Sequence, residues 1–171
     1  MLLPLHGHVW RRGLGYILGK YDLWSRWEPE VRGVMIAYAS VYGNTEKAAQ
    51  LLAEKLKEQG CPKVVLTCVQ RENWAEAVED AFRYGKLVLA APTYNGFLFP
   101  AMREFIEHLT ERNYQNRQVA FIENGSWAPA SGREMQKILK DLKGWSQLED
   151  TRRPGHRRTE SRRCQTSAPV P

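Results

Sequence analysis

Between Gly33 and Gly144 the chain switches four times between a short apolar run and a longer stretch with apolar residues every three or four positions. That alternation limits the fold more than any other feature. Val34 to Ala39 is a continuous apolar run, as expected of a parallel strand covered on both faces. Thr45 to Gln59 follows as a helix with Ala48, Leu51, Leu52 and Leu56 on one face, and Gly60 stops it. Lys63 to Val69 reads as a second strand, and Asn73 can cap a helix from Trp74 to Phe82. Leu87 to Ala91 is a third strand that Pro92 is expected to break. Pro100 to Thr110 reads as a helix, Gln118 to Ile122 as a fourth strand, and Ser131 to Lys143 as a fourth helix. Strands alternating with helices over short links predict an α/β fold, a doubly wound parallel sheet with helices on both faces and right-handed crossovers. The 171 residues suffice for one such domain.

The two ends do not share this rhythm. Arg12 to Trp27 is amphipathic, with Leu14, Ile17, Leu18, Tyr21 and Trp24 at helical spacing. Residues 145–171 are basic and rich in Pro, Ser and Arg, have no apolar period, and read as disorder. The charge follows the same division. Residues 1–144 carry 19 Lys and Arg against 16 Asp and Glu, whereas the last 27 residues carry six arginines and three acids. The formal charge of +6 is therefore a basic tail on a near-neutral domain, and it does not indicate a nucleic-acid partner. Cys61, Cys68 and Cys164 form no CxxC pair, which fits reduced thiols in a cytoplasmic protein. No apolar run approaches the roughly 20 residues that span a membrane.

In open parallel sheets ligands bind beyond the carboxyl ends of the strands. Three loops of this chain leave such ends, and each has unusual chemistry. The first, SVYGNTE, brings Ser40, Tyr42, Gly43, Asn44 and Thr45 to a helix start. Backbone N–H groups there attract an anion, and the hydroxyls and amide add donors. It lacks the lysine of a Walker loop, so it suits a phosphate held by neutral groups; a well-capped helix would read the same way. The second, APTYNGFLFP, offers Pro92, Thr93, the ring of Tyr94, and an Asn95-Gly96 turn open to close approach by a ligand. The third, ENGSWAP, carries Ser126 and Trp127, a ring suited to stacking on a planar group. One polar loop and two aromatic loops together suit a mononucleotide with a large ring system.

In this order and spacing, SVYGNTE, APTYNG and ENGSWAP resemble the FMN-contacting loops of flavodoxins, most closely the flavodoxin domain of flavodiiron proteins (A-type flavoproteins). LPLHGHVWRRGLGYILGKYDLWSRWEPE is similar to the junction of that family, where a metallo-β-lactamase-like diiron domain ends and the flavodoxin domain begins. The resemblance covers residues 3 to 144 and implies an FMN cofactor. Ser40, Tyr42, Gly43, Asn44 and Thr45 would hold its phosphate. Pro92, Thr93, Tyr94, Asn95 and Gly96 would line one side of the isoalloxazine, and Ser126 and Trp127 the other. It also implies residues 1–30 as the end of the diiron domain with a linker helix, 31–144 as the FMN domain, and 145–171 as a tail. His6 matches one diiron ligand of the family, but the partner ligands are not in this chain, so no metal is expected.

Strand order 2-1-3-4 is implied, with the family's fifth strand and closing helix missing, as though the domain were truncated at both ends. The corresponding function is electron transfer. FMN would take electrons from a small redox protein, rubredoxin-like or a reductase, and pass them to a diiron centre that reduces O2 or NO; the parent family works as a homodimer. A stand-alone NAD(P)H-dependent FMN reductase and a non-functional fragment are the alternatives. No acid–base pair, Ser/His/Asp arrangement or reactive-cysteine context is present, which suits a redox carrier.

Overall fold

A computed structural model of the protein describes residues 1–126, 128–140 and 142–147. Its elements in chain order are α1 (Leu14–Ser25), β1 (Val31–Tyr38), α2 (Asn44–Glu58), β2 (Val64–Cys68), α3 (Trp74–Arg83), β3 (Tyr84–Tyr94), β4 (Phe97–Leu98), α4 (Pro100–Glu111), β5 (Gln118–Asn124), α5 (Ser131–Leu139) and β6 (Ser146–Gln147). The sheet runs β2-β1-β3-β5-β6, and every neighbouring pair along it is parallel. The doubly wound α/β fold is therefore the one that the alternation predicts. Asn73 caps α3 as expected, its side-chain oxygen accepting the Ala75 N–H at 3.0 Å.

Three local expectations need correction. First, Pro92 does not end its strand, because β3 continues to Tyr94. By then β1 has left the sheet, its last partner being Ala90 opposite Tyr38, so that side makes no demand on the N–H that proline lacks. Second, the stretch after Pro92 is a hairpin and not only a loop, with β3 turning back on itself at the turn the sequence marks. Asn95 (φ 49°) and Gly96 (φ 78°) form a two-residue left-handed turn, and β4 pairs antiparallel with Thr93 and Tyr94. Third, the fifth strand is not missing altogether. Among the described residues β6 pairs in parallel at the outer edge, Ser146 opposite Gln118 and Gln147 opposite Val119. Both residues are polar and exposed, so no apolar pattern marks them; backbone pairing places them, beside Trp145, which packs on the core against Phe121. The expected disordered tail lies outside the described residues from 148 onward.

Alternation along each strand separates two cores. Met35, Ala37, Leu87, Leu89, Val119 and Phe121 face one side, where α3, α4 and α5 pack through Val78, Met102, Phe105, Ile106 and Met135. Val34, Ile36, Tyr38, Val88 and Ala90 face the other, where α2 packs through Ala49 and Ala53. α1 joins neither cluster: Ile17 is buried, but Leu18, Tyr21 and Trp24 are 56, 52 and 44% exposed. A carboxylate tethers this helix, Glu30 accepting from Lys20 and, at 2.7 Å, from Trp24 Nε1.

The first core contains an unsatisfied polar atom. Tyr114 is fully buried, its ring edge-on to Phe82 at 5.2 Å, and its hydroxyl has no hydrogen-bond partner among the described residues. Burial pushes that hydroxyl's pKa well above its ordinary value, with the Arg117 charge opposing the shift. A raised folded-state pKa contributes stability below the unfolded pKa and withdraws it as pH rises past that point. Tyr114→Phe should therefore stabilise the fold by about 1 kcal/mol at neutral pH, since it removes an unpaired buried hydroxyl. It should also reduce the stability loss that begins near pH ~10. Thermal melts at neutral and alkaline pH test both effects, and a destabilised variant would show that the hydroxyl is satisfied in solution.

Candidate functional site

Following the sheet order, the chain passes from β1 outward to β2 and then back across β1 to β3. The direction of winding thus reverses between β1 and β3, and a crevice opens beyond their carboxyl ends. The three unusual loops leave β1, β3 and β5 and meet at this edge.

The first loop begins at Ser40, 6% exposed, whose hydroxyl is buried and has no hydrogen-bond partner among the described residues. Gly43 follows at φ 81° as the N-cap of α2, with no side-chain cap. A glycine takes this left-handed conformation without steric cost, so the chain enters the helix abruptly. The first N–H groups of α2 have no carbonyl within the helix to bond. Thr45, 2% exposed, sits in this first turn, and Asn124 at the end of β5 donates to its hydroxyl at 3.4 Å. Glu46 is drawn inward, accepting from the Tyr38 hydroxyl at 3.2 Å. Burial, then the neighbouring Cys68 and Glu46, raise the pKa of that phenol, so it remains a neutral donor. A residue from outside the loop also participates. Ser40 N–H donates to Gln70 Oε1 at 2.9 Å, and Gln70 Nε2 donates back to the Ser40 carbonyl at 3.0 Å.

The second and third loops are held together by Thr93. Its hydroxyl oxygen accepts the N–H groups of Ala130 at 2.9 Å and Ser131 at 3.2 Å, serving as a cap to α5 from a distant strand. Ser131 returns a bond to the Ala91 carbonyl at 2.9 Å, and Glu123 accepts the Gly132 N–H at 3.1 Å. Between these loops is a cavity of about 240 Å³ lined by Thr93, Gly96, Gly125, Ser126 and Ala128. Thr93, Gly96 and Ser126 are thus brought together around one cavity.

Other candidates lie further out. Tyr42 is 90% exposed, and Asn44 and Asn95 are exposed too. Tyr94 is partly exposed and stacks edge-on against Phe99 at 5.7 Å, while Pro92 is half-buried within β3. Trp127 lies outside the described residues. Gln70 and Ser131 carry no motif that could have marked them. His6 is exposed on the loop between Leu2 and Trp10, and among the described residues no three His, Cys, Asp or Glu side chains converge as a metal set.

The site gathers neutral donors and one buried, unsatisfied hydroxyl around a helix start, beside a cavity walled by small residues. Those features suit a phosphate attached to a flat ring. Comparison with known proteins agrees. A family profile described as a flavodoxin domain matches residues 35–160. The nitric oxide reductase of Moorella thermoacetica is 25% identical over 90% of this chain and 37% of its own length. The rubredoxin-oxygen oxidoreductase of Megalodesulfovibrio gigas is 22% identical over 82% of this chain and 35% of its own. Among solved structures, a flavo di-iron protein mutant from Thermotoga maritima superposes with a TM-score of 0.73 at 26% identity, covering 87% of this chain and 37% of that one. The chain spans about a third of the length of these relatives. The chain belongs to the flavodoxin-domain family, whose cofactor is FMN, and flavodiiron proteins are among its relatives.

Proposed function

We propose that this chain is the FMN-binding electron-transfer module of a flavodiiron-type oxidoreductase. The observation that carries this reading is the Ser40 hydroxyl, buried without a partner at the mouth of an uncapped helix. A buried hydroxyl without a hydrogen bond costs about 1–3 kcal/mol, and an anion accepting a hydrogen bond from it relieves that cost. Ser40, Thr45 and the first N–H groups of α2 would hold the phosphate, with Asn44 and Tyr42 at the rim. Thr93, Gly96 and Ser126 would wall the ring, and Tyr94, Pro92, Asn95 and Trp127 would complete its surroundings. Bound FMN supplies one- and two-electron chemistry, and the protein's part is to orient the ring and tune its potential. The Thr93 cap keeps the two ring-facing loops in register, and Gly96 lets backbone approach the ring closely.

A small redox protein of the rubredoxin kind is the proposed electron donor, since rubredoxin appears in the name of the M. gigas relative. Delivery to a diiron centre that reduces O2 or NO belongs to the proposed parent, with His6 as the one matching ligand position. No described helix is long and apolar enough to cross a membrane. The test is a titration of cofactor-stripped protein with FMN, followed by quenching of flavin fluorescence. One-to-one saturable quenching is expected, weakened about tenfold by Ser40→Ala for the loss of one charge-assisted hydrogen bond. Absence of quenching by folded protein would reject the reading.

A further inference from the structure

We propose that Gln70 is the positioning residue that gives the first loop its selectivity for a phosphate; this rests on reading that loop as the seat of the FMN phosphate. The β1–β2 ladder ends with Tyr38 opposite Cys68 and a last bond from Val69 N–H to the Tyr38 carbonyl at 3.0 Å. Beyond it the β2 side turns away, Arg71 and Glu72 N–H groups both closing onto the Cys68 carbonyl. The chain leaving β1, however, runs on through Ala39, whose N–H still bonds the Ala90 carbonyl at 2.9 Å, to Ser40. There the Gln70 side chain replaces the missing strand, bonding the Ser40 N–H at 2.9 Å and its carbonyl at 3.0 Å. A backbone N–H can only donate and a carbonyl can only accept, so the pairing fixes which end of the amide is which.

Two parallel bonds on one residue hold the peptides on both sides of its Cα. Ser40 is therefore held in place two residues past the end of β1, and the direction of its Cα–Cβ bond is fixed. Both backbone groups are satisfied by Gln70, so neither has to turn into the loop for a partner. The hydroxyl stays unpartnered at the helix mouth and ready for a ligand. A side chain that only donates or only accepts cannot do this. Without the amide, the loop has to rotate to satisfy two half-buried backbone groups, and the hydroxyl moves with it. Gln70 touches no ligand in this arrangement; it acts entirely through Ser40.

The experiment compares FMN with riboflavin, which has the same ring and no phosphate, on the full chain by fluorescence quenching. Wild type should prefer FMN. Gln70→Ala should lower FMN affinity about tenfold and leave riboflavin affinity nearly unchanged, a loss comparable to one misplaced charge-assisted bond. Gln70→Glu is the decisive variant. A protonated carboxyl offers both a donor and an acceptor, as the amide does, and an ionised one offers only acceptors. Its FMN-to-riboflavin affinity ratio should rise toward that of wild type as pH falls below ~4.3, and fall to or below that of Gln70→Ala near pH ~8, where the carboxylate also repels the phosphate, relative to wild type at each pH. Normalising to wild type removes the titration of the FMN phosphate itself, and a purely structural role for Gln70 would shift both ligands together. An unchanged ratio in both variants, or equal losses for FMN and riboflavin, would overturn the proposal while leaving the cofactor reading intact. A wild type indifferent to the phosphate would overturn both.

Discussion

Replacing Arg117 by methionine should cost about 3–4 kcal/mol of folding stability. Only 3% of the residue is exposed, and it has no carboxylate partner among the described residues. Its guanidinium is satisfied instead by backbone carbonyls. Nε donates to Tyr84 at 3.1 Å, one terminal nitrogen to Phe82 at 2.7 Å, and the other to Trp27 and, at 3.2 Å each, to Gln115 and Asn116. These carbonyls lie before β1, at the end of α3, at the start of β3 and before β5. One side chain thus ties the segment entering β1 and the amino ends of β3 and β5, at the pole opposite the proposed cofactor site. Burial lowers the guanidinium's pKa, but the group remains charged across the working range. Methionine fills much of the space and leaves several half-buried carbonyls unpaired. Arg117→Lys keeps the charge with three donors on one atom, so it should recover only part of the loss. Urea unfolding of the three proteins measures the order. A methionine variant within about 1 kcal/mol of wild type would mean that water takes over the carbonyls.

The second large effect is expected at Gly33. A Cβ there would lie 2.7 Å from the Lys63 carbonyl oxygen and 2.9 Å from Tyr84 Cδ1. The Lys63 oxygen cannot retreat freely, because it accepts the Val34 N–H at 2.9 Å, the first bond between β1 and the chain entering β2. β1 is also irregular here: its register against β3 shifts between Val31 and Val34. Any side chain must therefore break that bond or push β1 from Tyr84. Gly33→Ala should cost about 2–3 kcal/mol by overpacking, and Gly33→Val more. The same urea titration reads it. A neutral alanine variant would show that this end of the sheet can yield at little cost.

Much of the fold was legible in the sequence because it depends on local pattern. The apolar run at Val34–Ala39, the helical spacing of Leu52 and Leu56, the Asn73 cap and the Asn95-Gly96 turn each show in a few adjacent residues. So did the loops around the site, since polar and small residues clustered after buried strands have few other uses. The errors share one cause. Pro92 is tolerated in a strand only because β1 ends opposite Ala90, and β6 is held by pairing with Gln118 and Val119 without any apolar face of its own.

The sequence by itself determined the alternation, the doubly wound class and the three loops, because periodicity and turn chemistry act between near neighbours. Tertiary structure alone decided that Thr93 caps α5 across 37 positions, that Gln70 completes a ladder with Ser40 across 30, and that Arg117 reaches Trp27 across 90. Side-chain bonds to distant backbone leave no periodic trace. They depend on where two segments come to rest, which is fixed only when the sheet is assembled.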